Sequence, residues 1–322
     1  MCLIEKSRTI PLYLQKLQAL DRRLPAFHPK RAEVENELAR WRAGFKGEQS
    51  IDYHLGFLNE DWRILHNLRL HDGTRSFQID TLLLTTSCII LVEVKNITGI
   101  LTLDAEFHQL IRFDNEKEEA FQHPVHQADR HKMQMGWWLE RNHIPSLPIK
   151  TLVVMAHPRS VLKRKNGTAG MYPQVIPAYL LPDKIHELHR HYPDPVLSDA
   201  DVRELIRLLL AAHSESPQNP LHRHHIPSSD LVKGVFCPAC GKTVMERIHG
   251  NWLCPHCGCT SKKAHHQALQ DYAFLIHPRI SNQEAASFLH ISSPSTMKRL
   301  LRSLSYPASG SGRAVKYKIL LD

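Results

Sequence analysis

Apolar residues recur at Leu14, Leu17 and Leu20, a helical spacing that marks 12–42 as helix-rich, with interruptions at Pro25 and Pro29. A second helix is expected over 46–58, opened by Gly44 and Gly47. The period then shortens to two. Residues 62–70 alternate as a strand, Asp72-Gly73 is a hairpin signal, and 77–84 and 88–95 are β-rich runs joined through Thr85–Ser87. A further hairpin is expected over 100–113, turning near Asp104-Ala105. Helical spacing returns over 125–141 through Met133, Trp137 and Leu139. The short unbroken apolar run 150–156 has the pattern of a strand buried on both faces. Closing helices follow over 183–191 and 199–213, the second capped by Ser198. Residues 214–230 lack an apolar period and are rich in Ser, Pro, His and Asn, as in a linker. A cysteine-rich unit follows over about 235–261, then a helical pattern with a Gly/Ser turn and a β-like end. The pattern predicts an α/β (α+β) chain in five parts: a helical segment over 1–41, an α/β domain over 42–213, a linker over 214–230, a cysteine-rich unit over 231–262 and a last module over 263–322.

The chain has 322 residues, and its hydrophobic fraction of 42% supplies packed cores rather than a disordered polymer. No apolar run approaches the roughly 18 residues of a membrane helix. The apolar stretch in 1–11 is too short for a secretory signal, so a cytoplasmic protein away from membranes is expected. Charge separates the two ends of the chain. Of the formal +9, residues 230–322 carry +7, from twelve Lys/Arg against five Asp/Glu. A basic module of this kind suits a polyanion, nucleic acid above all; the alternative is a well-solvated Lys-rich surface.

The densest candidate chemistry lies in the β-rich runs. Asp80 stands on one strand, and Val92-Glu93-Val94-Lys95 ends the next. Alternation puts Glu93 and Lys95 on one face. If the strands pair through Thr85–Ser87, Asp80 approaches Glu93. Two carboxylates that close repel unless a proton or cation lies between them. Mg²⁺ takes such oxygen ligands, keeps waters that can act as nucleophile and stabilises charge on a phosphate. Lys95 would orient that water or neutralise the phosphate. The bland alternative is a solvated strand face. Against it stand the apolar neighbours Ile79, Leu82, Leu91 and Val92.

Gly47-Glu48, Gln78-Ile79-Asp80, Glu93-Val94-Lys95-Asn96 and Gly99, in this order, resemble the nuclease-related domain (NERD) of the PD-(D/E)XK nuclease superfamily. The resemblance covers roughly 42–138. Gln122-His123-Pro124-Val125-His126-Gln127 is similar to the family's Asn-Pro-x-x-Gln element, with His123 in the Asn place. The resemblance implies a mixed sheet flanked by helices, of restriction-endonuclease-like type. It implies Asp80 and Glu93 as ligands of Mg²⁺ or Mn²⁺ and Lys95 as the catalytic lysine. It also implies Glu48 as a further acidic ligand or water-positioning group, and Gln127 lining the site.

Cys237-Pro-Ala-Cys240 and Cys254-Pro-His-Cys257 form two Cys-x-x-Cys knuckles, each followed by a glycine where the chain turns back. Four thiolates suit a structural Zn²⁺ with no open position, and the pattern looks like a zinc ribbon. A pair of redox dithiols is the alternative. His256 is expected to be exposed rather than bound. In the last module Ser281 and Glu284 fit a reciprocal helix cap. A short break at 291–293 precedes a helix over 295–304, and a strand returns over 315–319. This plan looks like a winged helix, with Ser295, Thr296, Lys298, Arg299, Arg302 and Arg313 as candidate DNA contacts. The alternative is a small helical domain for protein contact. Lys163-Arg164-Lys165 with Asn166-Gly167 reads as an exposed loop. Together these readings point to a metal-dependent endonuclease in DNA processing. The alternatives are a non-catalytic DNA-binding or regulatory protein with an inactive nuclease fold, and an RNA-processing factor.

Overall fold

The computed structural model describes residues 2–164, 172–241 and 243–321; Lys165, Asn166 and Gly167 of the expected basic loop lie outside them. The chain divides into two units, Met1–Pro11 with Trp41–Ser216 and Leu12–Arg40 with Pro217–Asp322. Residues 12–40 therefore join the C-terminal part of the chain instead of standing as a segment of their own. The first helices are α1 (Leu12–Arg23), α2 (Arg31–Ser50) and the single turn α3 (Asp52–Leu55). Gly44 and Gly47, expected to open a helix, lie inside α2. Pro29 is the last proline before the helix, and nothing between Arg31 and Ser50 stops it. Gly47 has a packing reason instead: a Cβ there would overlap the Asn96 side chain.

The strands of the first unit are β1 (Leu3–Lys6), β2 (Arg63–His71), β3 (Ser76–Leu84), β4 (Ile89–Lys95), β5 (Gly99–Asp104), β6 (Gln109–Asp114), β7 (Lys117–Gln122), β8 (Ile149–Met155), β9 (Ser160–Arg164) and β10 (Val175–Pro177). The helix α4 (Pro124–Arg141) precedes β8, and α5 (Leu181–His189) and α6 (Asp199–Ala212) follow β10. The main sheet runs β1-β2-β3-β4-β8-β10, and a second runs β7-β6-β5-β9. In the main sheet β2, β3 and β4 form an antiparallel meander, while β4, β8 and β10 are parallel. The result is a mixed α/β architecture. Leu82, Leu84 and Leu91 pack on one face against Met135 and Trp138 of α4 and Leu205 and Leu209 of α6. Leu83, Ile90 and Val92 pack on the other against Ile51, Leu55 and Ile185. Sandwiched strands of this kind need apolar residues at successive positions, and the runs read from the sequence have them. Besides β9, whose Lys163 and Arg164 were expected in a loop, two strands carry no such signal. Every residue of β7 is exposed, so it pairs with β6 through its backbone and leaves no hydrophobic period. The other, β1, is a four-residue parallel edge on β2.

In the second unit, Leu20 and Leu24 of α1 and Val34 of α2 pack with Leu221, Ile226, Leu231 and Phe274. Residues 214–230, expected to be a linker, thus hold a short helix, α7 (Pro220–Arg223), and buried residues at Pro220, Leu221, His224 and Ile226. Their apolar residues are too few to make a period, yet they complete this core. Arg23 is fully buried and donates to Asp271 (2.8 Å) and to the Gly234 carbonyl (2.6 Å), and Arg22 donates to the same carboxylate. The Arg23 guanidinium also lies over the Phe236 and Phe288 rings. Next come the antiparallel strands β11 (Glu246–Ile248), β12 (Asn251–Leu253) and β13 (Thr260–Ser261). The chain closes with α8 (Ala264–Leu275), β14 (Arg279–Ser281), α9 (Asn282–Leu289), α10 (Pro294–Ser303), β15 (Ala308–Ser309) and β16 (Lys316–Lys318), the strands ordered β14-β16-β15. The reciprocal cap forms as the sequence predicts: Ser281 Oγ accepts from Glu284 N, and Glu284 Oε2 accepts from Ser281 N. Among the described residues no helix is long and apolar enough to cross a membrane.

Candidate functional site

Asp80 lies one residue beyond the last β3–β4 register pair, Thr81↔Val92, which sets it opposite Glu93. The ladder ends there, and Asp80 Oδ2 accepts the Val94 backbone N–H (2.8 Å). Glu93 is buried; its Oε1 accepts from Lys95 Nζ (2.8 Å), and Lys95 also donates to Gln127 Oε1 (2.9 Å) at the start of α4. Fold and sequence therefore bring Asp80, Glu93, Lys95 and Gln127 together from two strands and a helix. Glu48 comes from α2, held by Arg8 Nη1 at 3.0 Å.

The electrostatics are those of crowded carboxylates. Burial, then the charges of Glu93 and Glu48, push the Asp80 carboxyl well above its ordinary value. Burial likewise raises Glu48 to about 7, against the pull of Arg8. Burial would raise Glu93 too, but His131 and Lys95 outweigh it and hold that carboxyl low. Glu93 Oε2 is buried and pairs with His131 Nδ1 at 3.5 Å. The donors are hard carboxylate oxygens whose burial and crowding raise Asp80 and Glu48, a set whose chemistry fits a hard divalent cation. Among the described residues, however, these carboxylates do not close to the spacing of a formed three-ligand cluster.

Four neighbours escaped the sequence reading. His131 follows Gln127 by one helical turn, an i,i+4 signal that could have found it. Arg8 is buried and forks between Glu48 and Asp52, and it donates to Thr81 Oγ1 and to the Asp80 carbonyl. Burial, then Arg8 and Lys6, lowers His66 to about 3, so its neutral ring accepts from Arg8. Asn67 stands across β2 from Asp80, between the pairs His66↔Thr81 and Leu68↔Ile79. Its φ of 50° is left-handed, and its buried amide faces Glu48, whose carboxyl it helps to hold down. Strain of this kind gathers at working sites. His123 is at the N-cap of α4 without making a side-chain cap, and both its ring nitrogens are buried and unpartnered. An Asn at this position could supply the capping oxygen that imidazole does not.

The four knuckle cysteines form the other centre. Their sulfurs all lie within 4.8 Å of one another, with Cys237–Cys257 at 3.6 Å and Cys240–Cys254 at 3.8 Å. Gly241 N bonds Cys237 O and Gly258 N bonds Cys254 O, two equal turns with both glycines at φ 69°. The soft donors and tetrahedral count fit zinc, so the cluster can hold such a metal. His256 is exposed, as expected.

On α10, Met297 and Leu301 are buried, while Ser295, Lys298, Arg299 and Arg302 are exposed and Thr296 is half-buried. The Arg313 side chain lies outside the described set. Arg247 of β11 adds a charge the sequence reading missed. Its guanidinium lies over Trp252, and burial and then Arg299 push its pKa down, so the two cations are near each other.

Residues 43–156 match the family model described as nuclease-related domain. An uncharacterized protein of Bacillus anthracis is 26% identical over 140 residues, which span 43% of this chain and 63% of that protein's length. No solved structure matches. The matched span runs from α2 through β8 and contains Glu48, Asp80, Glu93, Lys95 and Gln127, so this part of the chain carries a nuclease-related domain.

Proposed function

We propose that this chain is a metal-dependent nuclease that hydrolyses DNA phosphodiester bonds, with a PD-(D/E)XK core of restriction-endonuclease-like type. The observation that carries the reading is the convergence of Asp80, Glu93, Lys95 and Gln127, with the Glu93 and Glu48 charges crowding the buried Asp80 carboxyl. Asp80 and Glu93 would hold Mg²⁺ or Mn²⁺, which supplies a water of lowered pKa and charge stabilisation at the phosphate. Lys95, fixed by Glu93 and Gln127, presents its ammonium to the developing negative charge. Glu48, poised near neutrality, is suited to take a proton from water. Cys237, Cys240, Cys254 and Cys257 would form a zinc-ribbon unit. The segment from α8 onward would be a winged helix contacting DNA through Ser295, Thr296, Lys298, Arg299, Arg302 and Arg313. Free zinc-binding thiols suit the reducing cytoplasm.

The test is purified full-length protein with duplex DNA, single strands and RNA, each with Mg²⁺ or Mn²⁺. Asp80→Ala and Lys95→Ala should each lower cleavage by about 10²–10⁴-fold. Cleavage that survives both changes removes this mechanism. Preferential cleavage of RNA moves the chain to RNA processing. One observation favours a second reading, a non-catalytic nucleic-acid-binding protein: Lys95 and His131 already counter the Glu93 charge without a metal. That reading expects salt-sensitive binding and no cleavage with any divalent cation.

A further inference from the structure

At the carboxyl ends of the parallel strands lies a cavity of about 510 Å³ within the first unit. Open α/β sheets bind ligands beyond such strand ends. Met155 and Ala156 form part of its wall, and His54, His157 and Tyr179 also line it. Met155 is the register partner of Lys95, and Ala156 N donates to the Lys95 carbonyl (2.9 Å). The wall is thus one strand spacing, about 4.8 Å, from the backbone that carries the lysine.

The lining has no Asp, Glu, Lys or Arg. It offers no carboxylate for a hard cation and no fixed positive charge for a phosphate. A second cavity of the same unit has a charged lining, with Lys132, Lys150 and Lys184 beside Asp129 and Glu187. What the first cavity offers is ring faces. Tyr179 is 69% exposed at it. Next to His54, Tyr53 is 72% and Phe57 60% exposed, and the Tyr53 ring meets His54 at 5.4 Å and Phe57 at 5.2 Å, both edge-on. Exposed aromatic clusters mark binding surfaces, and flat neutral ligands that accept ring stacking are what such a cavity holds.

We infer that this cavity receives an unpaired nucleobase, so that the strand engaged by the site is single-stranded where it passes Tyr179 and His54. The inference rests on the nuclease reading for the identity of the polymer and extends it to the substrate's structure. A base inside a duplex has both faces stacked and cannot enter; a base in a single strand or flap can be splayed onto side chains. Lys95 lies on the strand paired with Met155 rather than in the lining, so the cavity is a base site and not a phosphate site.

The experiment uses the full chain with no divalent cation added, so that binding is read apart from cleavage. Single-stranded and duplex oligonucleotides of one sequence are compared by fluorescence anisotropy, and an iodouracil-substituted single strand is photo-crosslinked and the attached peptide mapped. Tyr179→Ala should lower single-strand affinity by about 5- to 150-fold, the range for losing one stacked base, and leave duplex affinity unchanged. Tyr179→Phe, which keeps the ring, should retain binding. The crosslink should fall on Tyr179 or His54. Equal losses for duplex and single strand, no loss at all, or failure of Tyr179→Phe to bind would each overturn the inference. A protein that cleaves nothing but shows the selective loss keeps the base cavity and loses the nuclease reading. A protein that cleaves normally while Tyr179→Ala binds single strands unchanged does the reverse.

Discussion

The two groups of possible metal donors in this chain reach order by opposite routes. The four thiols come from a stretch in which the outermost pair is twenty positions apart, and two equal turns bring their sulfurs together. The carboxylates come from α2, β3 and β4, and protein cations restrain them: Arg8 on Glu48, and Lys95 and His131 on Glu93. In the first group an ion would tie the two knuckles beside a core in which Met245 and Trp252 pack with Leu269 and Phe288. In the second the hydrophobic sheet fixes the backbone, and the residual charge imbalance stays in the side chains. Removing donors should therefore break the fold in one region and only the chemistry in the other.

The largest effect tests that contrast directly. Cys240→Ser should release about one zinc ion per chain and unfold the cysteine unit, because structural zinc sites contribute about 10–16 kcal/mol of apparent binding energy. Asp80→Ala should leave the melting profile of the first unit nearly unchanged. Metal analysis and limited proteolysis read both; unaltered zinc content in Cys240→Ser would mean the ligands are wrongly assigned.

The second unit also has a tie that needs no metal. Arg23 and Asp271 are buried against each other, so removing the Asp271 carboxylate leaves the Arg23 guanidinium buried without its counter-charge. Asp271→Ala should cost about 3–5 kcal/mol, seen as a lower urea midpoint. A cost near zero would mean that α1 contributes little to this unit. The same contact forbids a simple truncation at Ser214, which would strip α1 of Leu221, Phe274 and Asp271 together.

What could be read in advance follows from the same contrast. The knuckles, the Ser281–Glu284 cap and the sandwiched strands are written in local spacing or in unbroken apolar runs. The Asp80–Glu93 approach was also legible, since a short turn joins two paired strands. Arg8, Asn67 and His131 were not. Arg8 acts more than seventy positions from Thr81, and its segment has no period of its own. Asn67 matters through a backbone angle that side-chain patterns do not encode. The grouping of 12–40 with the C-terminal residues depends on a few apolar contacts, which look in sequence like ordinary helix and linker.

A smaller effect concerns pH. The Glu48 carboxyl is raised from 4.5 to about 7, chiefly by burial, so the folded protein holds that proton more tightly than the unfolded chain does. The stability this contributes is full below pH 4.5 and is lost as pH rises through about 7. The Asp80 shift has the same sign. In the second unit the Ser281 N–H, its largest cause, lowers Glu284, which contributes in the opposite direction. Melting of metal-free protein across this range should lose stability with rising pH, and Glu48→Gln should flatten the loss. A slope unchanged by Glu48→Gln would place the proton elsewhere.

The smallest effect is on nucleic-acid affinity. The first part of the chain, 1–229, is nearly neutral, while the last carries +7, and α10 turns Lys298, Arg299 and Arg302 to solvent opposite Met297 and Leu301. Arg247 adds its charge near Arg299, a pairing that favours a shared anion because like charges otherwise repel. Each phosphate contact releases counterions, so log affinity falls with log salt by about 0.9 per contact on duplex DNA. Arg299→Ala should weaken binding to all sequences alike and reduce that slope by about one contact. Arg247→Ala should do the same, and the double variant should lose less than the sum, because one phosphate would serve both cations. Salt titrations of the four proteins decide it. Slopes identical to the parent would remove α10 from the interface and leave protein contact as the role of this basic face.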